Sequence, residues 1–126
     1  MVVLEQHREW FEYMQSTLDH LGYDHVELTY APLSDYGDYD WYTPPETLDV
    51  SGIELVICDG PPGSIKGGRY GLMPVMGERL AEHCTILLDD THRRAEKNII
   101  DTWRHHRALT SHRIGRFGTY AEVNFR

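Results

Sequence analysis

The sequence predicts one α/β domain in which a mostly parallel sheet is covered by helices. Three observations predict it. Short apolar runs alternate along the chain with stripes of helical period. Three of those runs end in acid, at Glu5, at Asp59 and at the pair Asp89 and Asp90. The length of 126 residues suits a single domain spanning 1–126, with enough chain for one core and too little for two.

The elements follow in order. Residues 1–4 read as a short buried strand closing at Glu5. Trp10, Phe11, Met14, Leu18 and Leu21 then recur at helical spacing, and Gly22 is a stop signal, so 7–21 is expected to be a helix with one apolar face. Residues 25–33 alternate as a half-buried strand does. Residues 34–52, rich in Asp, Tyr, Pro and Gly, read as a long connection or a small excursion of the chain. A continuous apolar strand at 53–58 breaks into Asp59-Gly60-Pro61-Pro62-Gly63, and 64–69 is expected to be a mobile glycine-rich loop. Leu72, Met73, Val75, Met76 and Leu80 predict a helix with Pro74 in its first turn. Residues 84–90 form a further buried strand, Ala95, Ile99, Ile100 and Trp103 a further helical stripe, and 119–125 a last strand.

Composition narrows the function. A formal charge of −8 argues against a nucleic-acid binder, whose affinity comes from clustered Lys and Arg. The charge is uneven: acids crowd 34–59, whereas 92–116 is basic, a face that is either solvated or open to an anionic partner. No apolar run approaches the roughly 20 residues of a bilayer span, and no signal-type leader opens the sequence, so the expected compartment is the cytoplasm. Cys58 and Cys84 read as small core residues, in keeping with a reducing compartment.

In parallel sheets ligands bind outside the carboxyl ends of the strands, which makes the acids there the candidate site. Glu5 is placed to accept both hydroxyls of a ribose, or else to favour the start of its helix through the macrodipole. The stiff Asp-Gly-Pro-Pro-Gly turn would hold Asp59 at the rim of a cleft; the plainer alternative is that Asp59 caps the turn. Asp89 and Asp90 repel one another unless a cation or proton intervenes, which admits a hard divalent metal on Asp59, Asp89 and Asp90. Equally, one of the pair caps the following helix. His92 and Arg93 are near enough in sequence to pair with them. The eight histidines lack any zinc-type spacing, and Ser64 lacks a nucleophile-elbow context.

Together, "VVLEQHREWFEYM", "VELTYAPL", "DYDWYTPPE", "IELVICDGPPGSIKGGRYGLMPVM" and "CTILLDDTHR" resemble the class I S-adenosylmethionine-dependent methyltransferases, in particular small bacterial members with a DGPPG turn. The resemblance implies a Rossmann-like three-layer sandwich with an antiparallel last strand. It implies S-adenosylmethionine as cofactor and methyl transfer to a small-molecule acceptor, O-methylation included. Glu5 would then hold the cofactor's ribose, Ala31, Pro32 and Leu33 would border the adenine, and Asp59 would lie beside the methyl donor. Asp59 is the implied catalytic base, with Asp90 or His92 as alternatives. Tyr39, Trp41, Tyr42 and Tyr70 would face the acceptor, and Asp59, Asp89 and Asp90 match the metal positions of the catechol-type branch. That branch also carries a lysine three residues after its first ligand, where Pro62 stands here.

The chain departs from the family at its N-terminus, where the first strand and its Gly-x-Gly turn have no counterpart before Glu5. The expected fold is thus truncated, with strand edges open to closure on one another or to pairing in a homo-oligomer. The alternative function is a non-catalytic methyltransferase-like fragment, or an interaction module that has lost the cofactor and works by oligomerising or by binding a partner through its exposed edge. A nucleotide-binding regulator would also satisfy Glu5.

Overall fold

The computed structural model describes residues 1–116 and 119–126. Strand β1 (Val2–Glu5), helix α1 (Arg8–Leu21) and strand β2 (Glu27–Tyr30) make a parallel β-α-β unit, in register from Val2 opposite Glu27 to Glu5 opposite Tyr30. Gly22 ends the helix at φ 70°, and the N–H groups of Gly22 and Tyr23 turn back to the carbonyls of Asp19 and Leu18. Only glycine takes that left-handed position without a steric penalty. Phe11, Met14 and Leu18 are half-buried as the stripe predicts. Trp10 and Leu21 were expected on the same face but are 59% and 57% exposed, and no residue of α1 is fully buried.

The expected strand over 25–33 stops at Tyr30, and Leu33 instead opens an antiparallel hairpin that runs into the 34–52 connection, β3 (Leu33–Asp35) with β4 (Asp40–Tyr42). Its turn closes through the Gly37 N–H on Asp35 Oδ1 at 2.7 Å. The 64–69 stretch is docked rather than loose. Lys66 Nζ lies 2.8 Å from Asp35 and 3.3 Å from Asp40, and its carbonyl accepts the Asp40 N–H. Arg69, inside the expected mobile loop, is only 2% exposed.

The larger sheet has the order β5-β6-β8-β7. Strand β5 (Ile53–Cys58) runs parallel to β6 (Leu80–Leu88); β8 (Tyr120–Phe125) is antiparallel to β6, and β7 (Leu109–Ile114) to β8. The last strand is antiparallel as expected. The expected single, mostly parallel sheet is not what forms: the parallel pairs lie in two separate sheets, and β8, antiparallel to both its neighbours, makes the larger one mixed. Helix α2 (Leu72–Met76) is short and passes through a 3₁₀ turn at Gly77–Arg79, so Leu80, read as helical, opens β6 instead.

Register places Val56, Cys58, Ile86, Leu88, Ala121 and Val123 on one face, which packs with α2 and with α3 (Arg94–Trp103) into the core. Ile86, Leu88, Trp103 and Val123 are wholly buried. On the other face Leu55 is 56% and Ile57 73% exposed, so the described residues do not cover β5 on both sides as a three-layer sandwich would. The N-terminal unit leans on the core through Val2 and Leu4. Cys58 and Cys84 are buried free thiols, and no helix of the described residues is long and apolar enough to cross a membrane.

Candidate active site

Strands β1, β5 and β6 deliver their acids to one rim. Tyr42 stands between the first two: its hydroxyl lies against Gly60, and its pKa is pushed up to about 12, by burial first, then by Cys58 and Glu5, with Arg69 opposing. Glu5 makes the plainer of its two expected contacts, since Oε1 accepts the His7 N–H at 2.6 Å where the chain enters α1. That bond uses one carboxylate oxygen. Its other oxygen has no recorded partner among the described residues.

Asp59, Asp89 and Asp90 converge, each with a carboxylate oxygen within 4.8 Å of the others. Asp90 takes φ 60°, and its N–H is held by Asp89 Oδ1 at 2.7 Å. This reversal at the end of β6 carries the Asp90 carboxylate back toward the DGPPG turn. Between them lies Arg69. Its Nη2 donates to the Asp59 carbonyl at 3.0 Å, to Asp59 Oδ1 at 3.3 Å and to Asp90 Oδ2 at 3.1 Å, while Nη1 donates to the Asp89 carbonyl at 2.7 Å. Glu96, 1% exposed on α3, brings Oε1 to 3.6 Å from Arg69 Nη1. A guanidinium buried this deeply is tolerated because carboxylates surround it.

The pKa of Asp59 is raised, by desolvation first and then by the Asp89 carboxylate, with Arg69 pulling it back. Burial pushes the Cys58 thiol up to about 12, so Cys58 stays neutral and is no nucleophile.

His92 is exposed and makes no recorded contact with the acids; Arg93 pairs instead, its Nη1 2.9 Å from Asp90 Oδ2. Trp41 was expected to face an acceptor but is 2% exposed, in the core against Gly71. The remaining tyrosines split. Tyr42 reaches the rim, whereas Tyr39 stacks on Tyr36 with centroids 5.3 Å apart and meets Tyr70 edge-on at 5.1 Å. Tyr70 Oη lies 2.9 Å from His106 Nε2. Ala31 is fully buried, Pro32 exposed, and Leu33 half-buried at the start of β3. Arg69 and Glu96 are the site residues that sequence reasoning missed. A signal for Glu96 existed: it stands three and four residues before Ile99 and Ile100, on the apolar stripe of α3.

The three aspartates have the donor chemistry of a hard-cation site, but it does not fit a divalent ion as built. Such an ion takes six or more oxygen ligands, whereas here the facing oxygens of Asp59 and Asp90 accept from a guanidinium and Asp89 Oδ1 from an amide.

No known family model matches this sequence, and no curated protein does. Solved structures do match it. A methyltransferase from Geobacter sulfurreducens has a TM-score of 0.61 at 17% identity, over 99% of this chain and 57% of its own. A methyltransferase from Pyrococcus furiosus has a TM-score of 0.62 at 14% identity, over 98% of this chain and 61% of its own. The chain therefore has a methyltransferase-like fold and spans about three fifths of the length of these neighbours.

Proposed function

We propose that the chain carries part or all of a class I methyltransferase site that uses S-adenosylmethionine and acts on a small-molecule acceptor. The observation that carries this reading is the gathering of Glu5, Asp59, Asp89 and Asp90 at the carboxyl ends of parallel strands, in a fold shared with methyltransferases. The cofactor, when bound, supplies an electrophilic methyl group.

The chain's own part is alignment and proton handling. The unbonded oxygen of Glu5 is available to a ribose hydroxyl, with Pro32 and Leu33 bordering the base. Asp59, its carboxyl three quarters exposed and its pKa raised, is the group suited to accept a proton from a hydroxyl acceptor, which makes O-methylation the favoured chemistry. Asp90 is committed to Arg69 and Arg93 and His92 stands apart, so neither competes as the base. Tyr39, Tyr42 and Tyr70 offer the aromatic surface for a planar or sugar acceptor.

The test is calorimetric titration of the folded chain with S-adenosylhomocysteine. Saturable micromolar binding, weakened at least tenfold by Glu5→Ala, is the expected result. Absence of heat at millimolar ligand would leave the alternative, a non-catalytic module associating through β5, an edge strand that also carries exposed Leu55 and Ile57 on its outer face.

A further inference from the structure

We propose that Arg69 is the resident cation of the strand-end carboxylate cluster, holding Asp59 in place so that the site works without a divalent metal. The role given to Asp59 rests on the methyltransferase reading; the identity of the cation rests on geometry alone.

Arg69 occupies the position an ion would need. Its side chain is 3% exposed, and one nitrogen, Nη2, is shared by Asp59 Oδ1 and Asp90 Oδ2, the oxygens that would have to turn onto a metal. The same guanidinium binds the main-chain carbonyls of Asp59 and Asp89, one from each strand end. It therefore fixes the backbones of β5 and β6 at the rim as well as their side chains. Arginine remains protonated at any physiological pH, so its charge is permanent.

Behind it, Glu96 and Arg93 complete the arrangement. Glu96 brings a third carboxylate to the buried side of the guanidinium, and Arg93 binds Asp90 from the solvent side. Gly63, last residue of the DGPPG turn, lies directly on this group: a Cβ there would come within 3.3 Å of Glu96 Oε1 and 3.6 Å of Arg93 Nη1. The turn, the arginine six residues beyond it, the paired aspartates and the glutamate on α3 are thus one ionic unit.

The unit leaves a single carboxyl open. Asp90 is 23% exposed and Glu96 1%, and Asp89 is half-buried, whereas Asp59 is 74% exposed. Arg69 binds the Asp59 carbonyl at shorter range than its carboxylate, so it positions the residue while its carboxyl still faces outward. Arg69 is a positioning residue in this sense.

The experiment is calorimetric titration with MnCl2. Wild type should show no saturable binding to 1 mM, at about the strength expected of scattered surface acids. Arg69→Met, checked for folding by circular dichroism, should uncover the aspartates and bind Mn²⁺ at least tenfold more tightly, and Asp59→Asn in that background should abolish the gain. Arg69→Lys should restore the silence of wild type, an outcome that a merely structural role would not give. Saturable submillimolar Mn²⁺ binding by wild type, lost in Asp59→Asn, would overturn the proposal even if Arg69→Met failed to fold. A folded Arg69→Met that gained nothing would overturn it too. Titrating S-adenosylhomocysteine with EDTA or Mn²⁺ present separates the two readings. Binding that needs Mn²⁺ sinks the resident arginine and keeps the methyltransferase, whereas no binding under either condition, with wild type still silent to Mn²⁺, does the reverse.

Discussion

Helices α1 and α3 present comparable apolar stripes, yet one buries nothing fully and the other buries four residues, Glu96, Ile99, Ile100 and Trp103. The difference lies in what each helix meets. Helix α1 covers a two-stranded sheet, whereas α3 packs against the inner face of a four-stranded one. A two-stranded pair offers too little surface to bury a helix, and such units are marginal alone. Periodicity therefore reports which side of a helix is apolar, and the partner decides how much of that side leaves water.

The widest gap should appear between two tryptophans. Trp103→Ala, at a wholly buried position, should cost about 3–5 kcal/mol in urea unfolding, whereas Trp10→Ala on exposed α1 should cost less than about 0.5 kcal/mol. Equal losses would mean that the two halves are not packed as differently as described.

High pH should also strike the region where β4 and the end of β5 meet. Tyr42 and Cys58 titrate near 12 in the folded chain against ordinary values of 10.0 and 9.0. The folded state keeps protons that the unfolded state releases. Their contribution is whole below about pH 9 and is lost as pH rises toward about 12, on the order of 3–4 kcal/mol for each group. Melting temperature followed from pH 8 to 11 should fall, and less steeply in Tyr42→Phe; a flat profile would contradict the burial of both groups.

Smaller effects separate the two glycine positions. Gly71→Ala would drive a Cβ to 2.6 Å from Trp41, costing about 1–3 kcal/mol by overpacking. Gly22→Ala meets open space but must hold φ 70°, for about 1 kcal/mol. Denaturation of each variant checks the order, and Gly22→Ala as the more damaging would reverse it. Smallest in energy, and the sharpest test of regional stability, amides of α1 should exchange with deuterium at least about tenfold faster than those of β6. Matching protection would show that β1-α1-β2 opens only with the whole molecule.

The sequence made the long elements legible where the pattern was strong. Strand β5 and the apolar end of β6 announce themselves as continuous runs, and Gly22 marks its helix end by chemistry that only glycine performs cheaply. Strand β7 did not announce itself. Between Leu109 and Ile114 it carries exposed Ser111, His112 and Arg113, the polar dress of an edge strand. Strands β3 and β4, three residues each, are too short for alternation to show. In the site, acids at strand ends could be read from position alone. Arg69 could not, because its partners lie 10, 20, 21 and 27 residues away along the chain, counted to Asp59, Asp89, Asp90 and Glu96. Trp41 misled for the opposite reason: an aromatic in a Tyr-rich loop looks available until the hairpin turns it inward.

The placement of the tryptophans has an optical consequence. Trp103 is sealed from water, with its Nε1 donating to the Tyr70 carbonyl at 3.0 Å, one residue from Arg69; Trp10 stands 59% exposed on α1. An aqueous quencher such as iodide reaches the second indole and not the first. The emission remaining under quencher then comes from Trp103 and from Trp41, which is 2% exposed against Gly71, so both report on the backbone that follows Arg69. A ligand arriving at the rim can thus be followed in the native chain without attaching a dye.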